Sequence, residues 1–242
     1  VTYENEYIES VWYLLKELYK KDLIYKGYTI QPFSPAAGTG LSSHELNQPG
    51  TYKDVKDVSA VAQFKIKRNE RSEFLFEGLD NEDVHCIAWT TTPWTLPSNT
   101  ALAVGKKISY VRVKTYNPYT KLKVNIILAK DLLGKWFKPE HEALDFDAFQ
   151  ETDKDIPFRV EAEFKGEQLE LVDYEQLLPY VQPEEGEAFK VILGDFVSTE
   201  DGTGIVHIAP SFGADDKQSL YDNRLNYNQL MGLYPTAVSY EL

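Results

Sequence analysis

Two stretches of this 242-residue chain gather side chains that could handle a small polar group. The first is Trp89-Thr90-Thr91-Thr92-Pro93-Trp94-Thr95-Leu96-Pro97-Ser98-Asn99, where an apolar run ends. Its prolines restrict the backbone, while the hydroxyls and the Asn99 amide both donate and accept hydrogen bonds. Composition leaves two readings open, a rigid connector or a cradle around a bound group. The second stretch runs from Gly202-Thr203-Gly204 through His207 to Asp215 and Asp216. A strand ends at His207, Pro210 and Gly213 mark a turn, and two carboxylates open a helix. Carboxylates at a helix start complement its dipole whatever their function. A histidine at a strand end beside a carboxylate on a turn can also grip a small polar ligand.

Other chemistries fall away on spacing. Gly38-Thr39-Gly40 and Gly202-Thr203-Gly204 lack the third glycine of a dinucleotide loop and read as tight turns. Ser211 sits in a sequence like a nucleophile elbow, but such a serine needs a triad histidine later in the chain. His44, His85, His141 and His207 all precede it. Cys86 is flanked by Val84, Ile87 and Ala88 and reads as a buried thiol. One cysteine excludes a disulfide framework, and the histidines lack ligand spacing, so no metal is expected.

The elements that must position these residues show in the hydrophobic pattern. Residues 3–25 carry Ile8, Val11, Trp12, Leu15, Leu18 and Tyr19 at helical spacing, with Gly27 as a stop. Residues 31–50 are rich in proline and glycine and read as loop. Strands are expected at 61–67, 84–89, 101–104, 110–115 and 122–128, then at 158–164, 190–193 and 205–208. Val111 and Val113, and Val124, Ile126 and Leu128, alternate as in half-buried strands. Helical spacing returns over 131–149 and over 213–227. The fold class is therefore α+β, with a barrel-like, strongly curved, mostly antiparallel sheet and peripheral helices. A boundary near residue 45 separates a helix and linker, 1–45, from a main domain, 46–242.

The net charge of −13 is concentrated. Residues 140–200 hold 18 acidic against 4 basic side chains, and the rest of the chain is close to neutral. That is the signature of a solvated acidic face, and it argues against nonspecific nucleic-acid binding. No window approaches a membrane-spanning apolar run, and residues 1–4 resemble no signal peptide. The abrupt start without methionine reads as a piece cut from a longer protein.

The two stretches, taken in order, resemble the inserted editing domain of isoleucyl-tRNA synthetases. Trp89 to Asn99 is similar to that family's threonine-rich motif, and Gly202 to Asp216 to its second editing motif. Gly40-Leu41-Ser42-Ser43-His44-Glu45 and Tyr52-Lys53-Asp54-Val55 resemble the approach to the insertion. Valyl and leucyl relatives carry Thr-Thr-Arg-Pro where this chain has Thr91-Thr92-Pro93-Trp94. Two features depart from the family. The Cys-x-x-Cys zinc knuckle of some members is missing before Gly38, and the ATP-binding signatures His-Ile-Gly-His and Lys-Met-Ser-Lys-Ser are absent from this sequence.

The resemblance implies a cytoplasmic enzyme that hydrolyses valine mischarged onto isoleucine tRNA, with valyl-adenylate as a further substrate. Thr90, Thr91, Thr92 and Asn99 would position the terminal adenosine, the ester carbonyl and a water. Trp94 would supply apolar wall, His207 would exclude isoleucine, and Asp216 would bind the α-ammonium. Adjacent helical residues point about 100° apart, so both aspartates are not expected to face one pocket, and the resemblance implies that Asp216, and not Asp215, faces the substrate. The implied partners are the 3′ acceptor end of isoleucine tRNA and the rest of the synthetase chain. ATP and Mg²⁺ would serve only the full-length enzyme. The alternatives are an inactive acceptor-end binding module and a free-standing deacylase.

Overall fold

The computed structural model describes residues 1–24, 30–180 and 187–223. The chain divides into two compact units, Val1–Gln48 and Pro49–Leu242. The first contains α1 (Asn5–Lys20), the short strands β1 (Phe33–Ser34) and β2 (Thr39–Gly40), and α2 (Ser43–Leu46). Gly38, at φ +66°, makes the tight turn expected of the Gly-Thr-Gly segment between β1 and β2. Ser42 and Glu45 cap α2 reciprocally, side chain to backbone in both directions. The helix stop expected at Gly27 lies outside the described residues.

The second unit carries the remaining elements: β3 (Ala60–Lys65), β4 (Val84–Thr90), β5 (Ala101–Val104), β6 (Ser109–Tyr116), β7 (Lys123–Ala129), α3 (Leu133–Trp136), β8 (Phe158–Lys165), β9 (Lys190–Leu193), β10 (Ile205–Ile208) and α4 (Ala214–Asp222). Each expected strand forms, three with the expected bounds and five with an end shifted by one or two residues. Five of them make a sheet in the order β3-β4-β7-β6-β8, and three make a second sheet in the order β10-β5-β9. Pairing is mostly antiparallel, but β4 runs parallel to β7 and β5 parallel to β9. Among the described residues no sheet closes on itself, so two open sheets stand where a barrel-like one was expected. The edge strand β8 carries Glu161 and Glu163, which pair with Arg112 and Lys130.

Half-burial also proves too modest for the central strands. Val111, Val113, Ile126 and Leu128 share one face and pack with Ile87 and Phe158. The opposite face, with Tyr110, Ile127, Ala129, Phe64 and Cys86, packs against Leu102, Val104, Val191 and Ile205 of the smaller sheet. Both faces are therefore covered, as the near-continuous apolar run at the end of β7 requires. The helical spacing over 131–149 breaks into short pieces, a 3₁₀ turn at Lys130–Leu132, α3, and another 3₁₀ turn at Pro139–Ala143. Gly134 and Pro139 interrupt any longer helix. The last expected helix forms as α4, and its continuation beyond 223 lies outside the described residues.

The two sheets are bonded together at the Gly202-Thr203-Gly204 turn. Thr203 Oγ1 donates to the Ile87 carbonyl at 2.7 Å, and the Ala129 N–H donates to the Thr203 carbonyl at 2.8 Å. The buried Tyr110 hydroxyl donates to the Gly204 carbonyl at 2.6 Å. Gly204 has φ +73°, and a Cβ there would lie 2.3 Å from the Ala129 Cβ. Backbone strain and overlap thus act together. Gly204→Ala should lower unfolding stability by about 2–4 kcal/mol, checked by urea denaturation monitored by circular dichroism.

Candidate active site

The loop after β4 owes its shape to its prolines. Pro93 starts a 3₁₀ turn that runs to Ser98. Three residues per turn bring position i+3 back over position i, so Thr95 Oγ1 donates to the Thr92 carbonyl at 2.8 Å. The Thr90 and Thr92 hydroxyls lie 3.2 Å apart, and the Thr92 N–H donates to Thr90 Oγ1 at 3.0 Å. Thr90 is buried, whereas Thr91 and Thr92 are exposed. Beyond the loop, β5 pairs with β10 in a register that sets His207 opposite Leu102. The two stretches singled out in the sequence therefore meet at one place.

They enclose a cleft of about 410 Å³, lined by the loop from Trp89 to Thr95, the end of β10 and the start of α4. Thr90, Thr91, Thr92, Trp94, His207 and Asp216 all line it, which brings six of the seven expected residues together. Asn99 is the exception. It is 4% exposed and lies behind His207, with both ends of its amide engaged by the protein. Its expected direct contact with a substrate gives way to a place in the supporting structure. Thr95, Trp89 and Phe212 also line the cleft and were not singled out individually. The three-residue interval from Thr92 to Thr95 beside a proline was the available signal for Thr95.

The hydrogen bonds around His207 determine its protonation pattern. The Thr95 hydroxyl is committed as donor to Thr92, so at 2.8 Å it accepts the proton on His207 Nε2. On the other side, Asn99 Nδ2 donates to His207 Nδ1 at 3.2 Å and to the Ala101 carbonyl at 2.8 Å. The Asn99 oxygen accepts from the fully buried Tyr174 hydroxyl at 2.7 Å. His207 is thus neutral, protonated on Nε2 only, with both nitrogens occupied. Burial pulls its pKa down to about 4. It forms a fixed wall and is not set up as a general base.

Asp216 faces the same cleft from the first turn of α4, while Asp215 is exposed to solvent. Its Oδ2 accepts the Ala209 N–H at 2.8 Å. A Cβ at position 213 would lie 2.9 Å from Asp216 Oδ1, so the glycine there makes room for the carboxylate. Burial raises its pKa above the usual aspartate value, and the neighbouring Asp215 charge adds to the effect. An arriving cation would reverse that shift. Among the described residues no three His, Cys, Asp or Glu side chains converge as a metal site would require.

The depressed His207 pKa has a measurable consequence. Between about pH 6.5 and pH 4 the unfolded chain takes up a proton that the folded histidine refuses. The contribution of His207 is therefore present above pH 6.5 and is lost as the pH falls through its folded pKa. The raised Asp216 pKa acts with the opposite sign, since its ionised form is the one burial disfavours. Comparison with His207→Gln isolates the histidine. Denaturant titrations should show the parent losing about 3 kcal/mol more than the variant between pH 7 and pH 4.

The geometry agrees with what the chain is similar to. The family model for tRNA synthetases class I (I, L, M and V) matches residues 1–174. An isoleucine–tRNA ligase from Cytophaga hutchinsonii is 63% identical over 216 residues, covering 89% of this chain and 19% of that protein. One from Bacteroides fragilis is 61% identical over 218 residues, covering 90% and 19%. This chain thus spans about a fifth of the length of these relatives. The crystal structure of GlLeuRS-CP1 shares the fold, with a TM-score of 0.50 at 21% identity, over 73% of this chain and 65% of that one. With its family model matched across well over half its length, the chain belongs to the class I tRNA synthetases.

Proposed function

We propose that this chain is the editing domain of an isoleucyl-tRNA synthetase and hydrolyses the ester of valine mischarged onto isoleucine tRNA. The observation that carries the reading is the pairing, across one cleft, of the half-buried Asp216 carboxylate with the fixed wall of His207. An aminoacyl ester presents an α-ammonium, an ester carbonyl and a side chain. The cleft offers a carboxylate, a run of hydroxyls and an apolar wall, in that order of chemistry.

A pocket that accepts isoleucine gains only about 1–3 kcal/mol over valine from one methylene, and isoleucyl enzymes are a standard instance of this limit. A second, smaller pocket that admits valine and rejects isoleucine multiplies the discrimination. In this reading Asp216 holds the ammonium by a charge-assisted hydrogen bond. Trp94 forms apolar wall, and His207 crowds out the extra methyl group of isoleucine. Thr90, Thr91 and Thr92 orient the ester carbonyl and a water, while Asn99 acts through His207. Water adds to the carbonyl, the tetrahedral adduct expels the ribose hydroxyl, and valine and tRNA separate. The ester is already activated, so orientation and hydrogen-bond donors suffice, and the step draws on no bound metal or cofactor. The partners are the acceptor end of isoleucine tRNA and the rest of the synthetase, in the cytoplasm. Valyl-adenylate, which carries the same ammonium and side chain, is a further substrate for the cleft.

Two measurements test the reading. Deacylation of valine-charged isoleucine tRNA should fall well over tenfold in Asp216→Ala and stay near the parent rate in Asp215→Ala, both checked for folding by circular dichroism. Equal losses would place the ammonium elsewhere, and no activity in the parent would leave a binding module. His207→Ala should open the cleft, so that the chain also releases isoleucine from its own tRNA while still cleaving the valine ester. Unchanged selectivity would remove the steric role.

A further inference from the structure

His207 is held at two points of its ring, and the two holds differ in what they fix. Asn99 settles the proton. The Ala101 carbonyl can only accept, so at 2.8 Å it keeps the Asn99 NH₂ turned inward, and the same NH₂ meets His207 Nδ1 at 3.2 Å. Nδ1 therefore accepts, and Nε2 carries the proton. A ring tied through one nitrogen can still pivot about that bond. Thr95 supplies the second point, its Oγ1 lying 2.8 Å from Nε2 on the other side of the imidazole. We propose that Thr95 is a positioning residue for specificity: its hydroxyl oxygen fixes how the His207 ring stands in the cleft, and so where the limit on side-chain size falls.

The hydroxyl can serve as acceptor because its own proton is committed to the Thr92 carbonyl at 2.8 Å. Thr95 is buried, and its β-branched side chain is stiff at χ1, so the oxygen stays between its two partners. The Thr92 carbonyl also accepts the Thr95 N–H at 3.0 Å, and Pro93 restricts the backbone of the same turn. The turn therefore does not depend on the hydroxyl. Thr95→Val keeps the side-chain shape and the turn, and puts a methyl group where the acceptor stood. A methyl carbon keeps roughly 3.5 Å or more from another heavy atom, so the ring must retreat or turn. Its buried N–H is then left unpaired, and the wall loses its fixed position.

The inference rests on the editing reading, but its first test does not require that activity. Spectra of the 242-residue chain, labelled with nitrogen-15 at histidine and assigned through His207→Gln, report the Nε2-bound proton. In the parent it should lie downfield and exchange slowly with water. Its absence there would overturn the inference even if no variant folds. Thr95→Ser keeps the hydroxyl and should keep the signal, whereas folded Thr95→Val should lose it or shift it upfield. The ratio of isoleucine-ester to valine-ester cleavage on isoleucine tRNA should rise about fivefold in Thr95→Val, the size of one lost hydrogen bond, and stay near the parent value in Thr95→Ser. A parent-like signal or a parent-like ratio in folded Thr95→Val would refute the role. Loss of the signal in Thr95→Val, with neither ester cleaved even by the parent, would uphold the hold on His207 and refute the editing reading.

Discussion

His207 ties together two parts of the chain that the β5–β10 ladder brings side by side. Thr95 belongs to a polar loop without a core of its own, and β10 is a four-residue strand. The bonds from the imidazole to Thr95 and to Asn99, spanning 112 and 108 residues of sequence, fasten one to the other. The hydroxyl run, the two tryptophans and the start of α4 take their mutual positions from that junction. Buried polar networks of this kind hold a single arrangement only when each member is satisfied, and each group here has its partner. The sheet contacts at Thr203 and Gly204 support the junction from below by fixing where β10 begins.

Burial works on the two ionisable groups of the cleft in opposite directions. It keeps His207 neutral and makes the ionised form of Asp216 more costly. A ligand bearing a positive charge relieves the second cost and leaves the first untouched. The cleft is thereby biased toward a cation beside α4 and toward an uncharged group beside His207. An amino acid esterified through its carboxyl has that distribution, because its carboxylate is masked while its ammonium is free.

The sequence by itself determined much of the local structure. The strands, the glycine turns and the start of α4 follow from periodicities of two to four residues and from backbone preferences that need no distant partner. That Asp215 and Asp216 point in different directions also follows from helical geometry alone. The tertiary structure decided the rest. Whether the strands close or stay open depends on which edges find partners, and parallel pairs such as β4 with β7 link segments that no short-range pattern connects. Asn99 reads in sequence as one more polar residue of the loop, yet it is buried, with its amide taken up by the Ala101 carbonyl, by His207 and by a tyrosine from far along the chain. Tyr174 itself carries no local signal, since a hydrogen bond across 75 residues is set by where the core places the ring. Local propensity can name the residues able to do chemistry, but only long-range packing decides which of them touch a ligand and which hold the others in place.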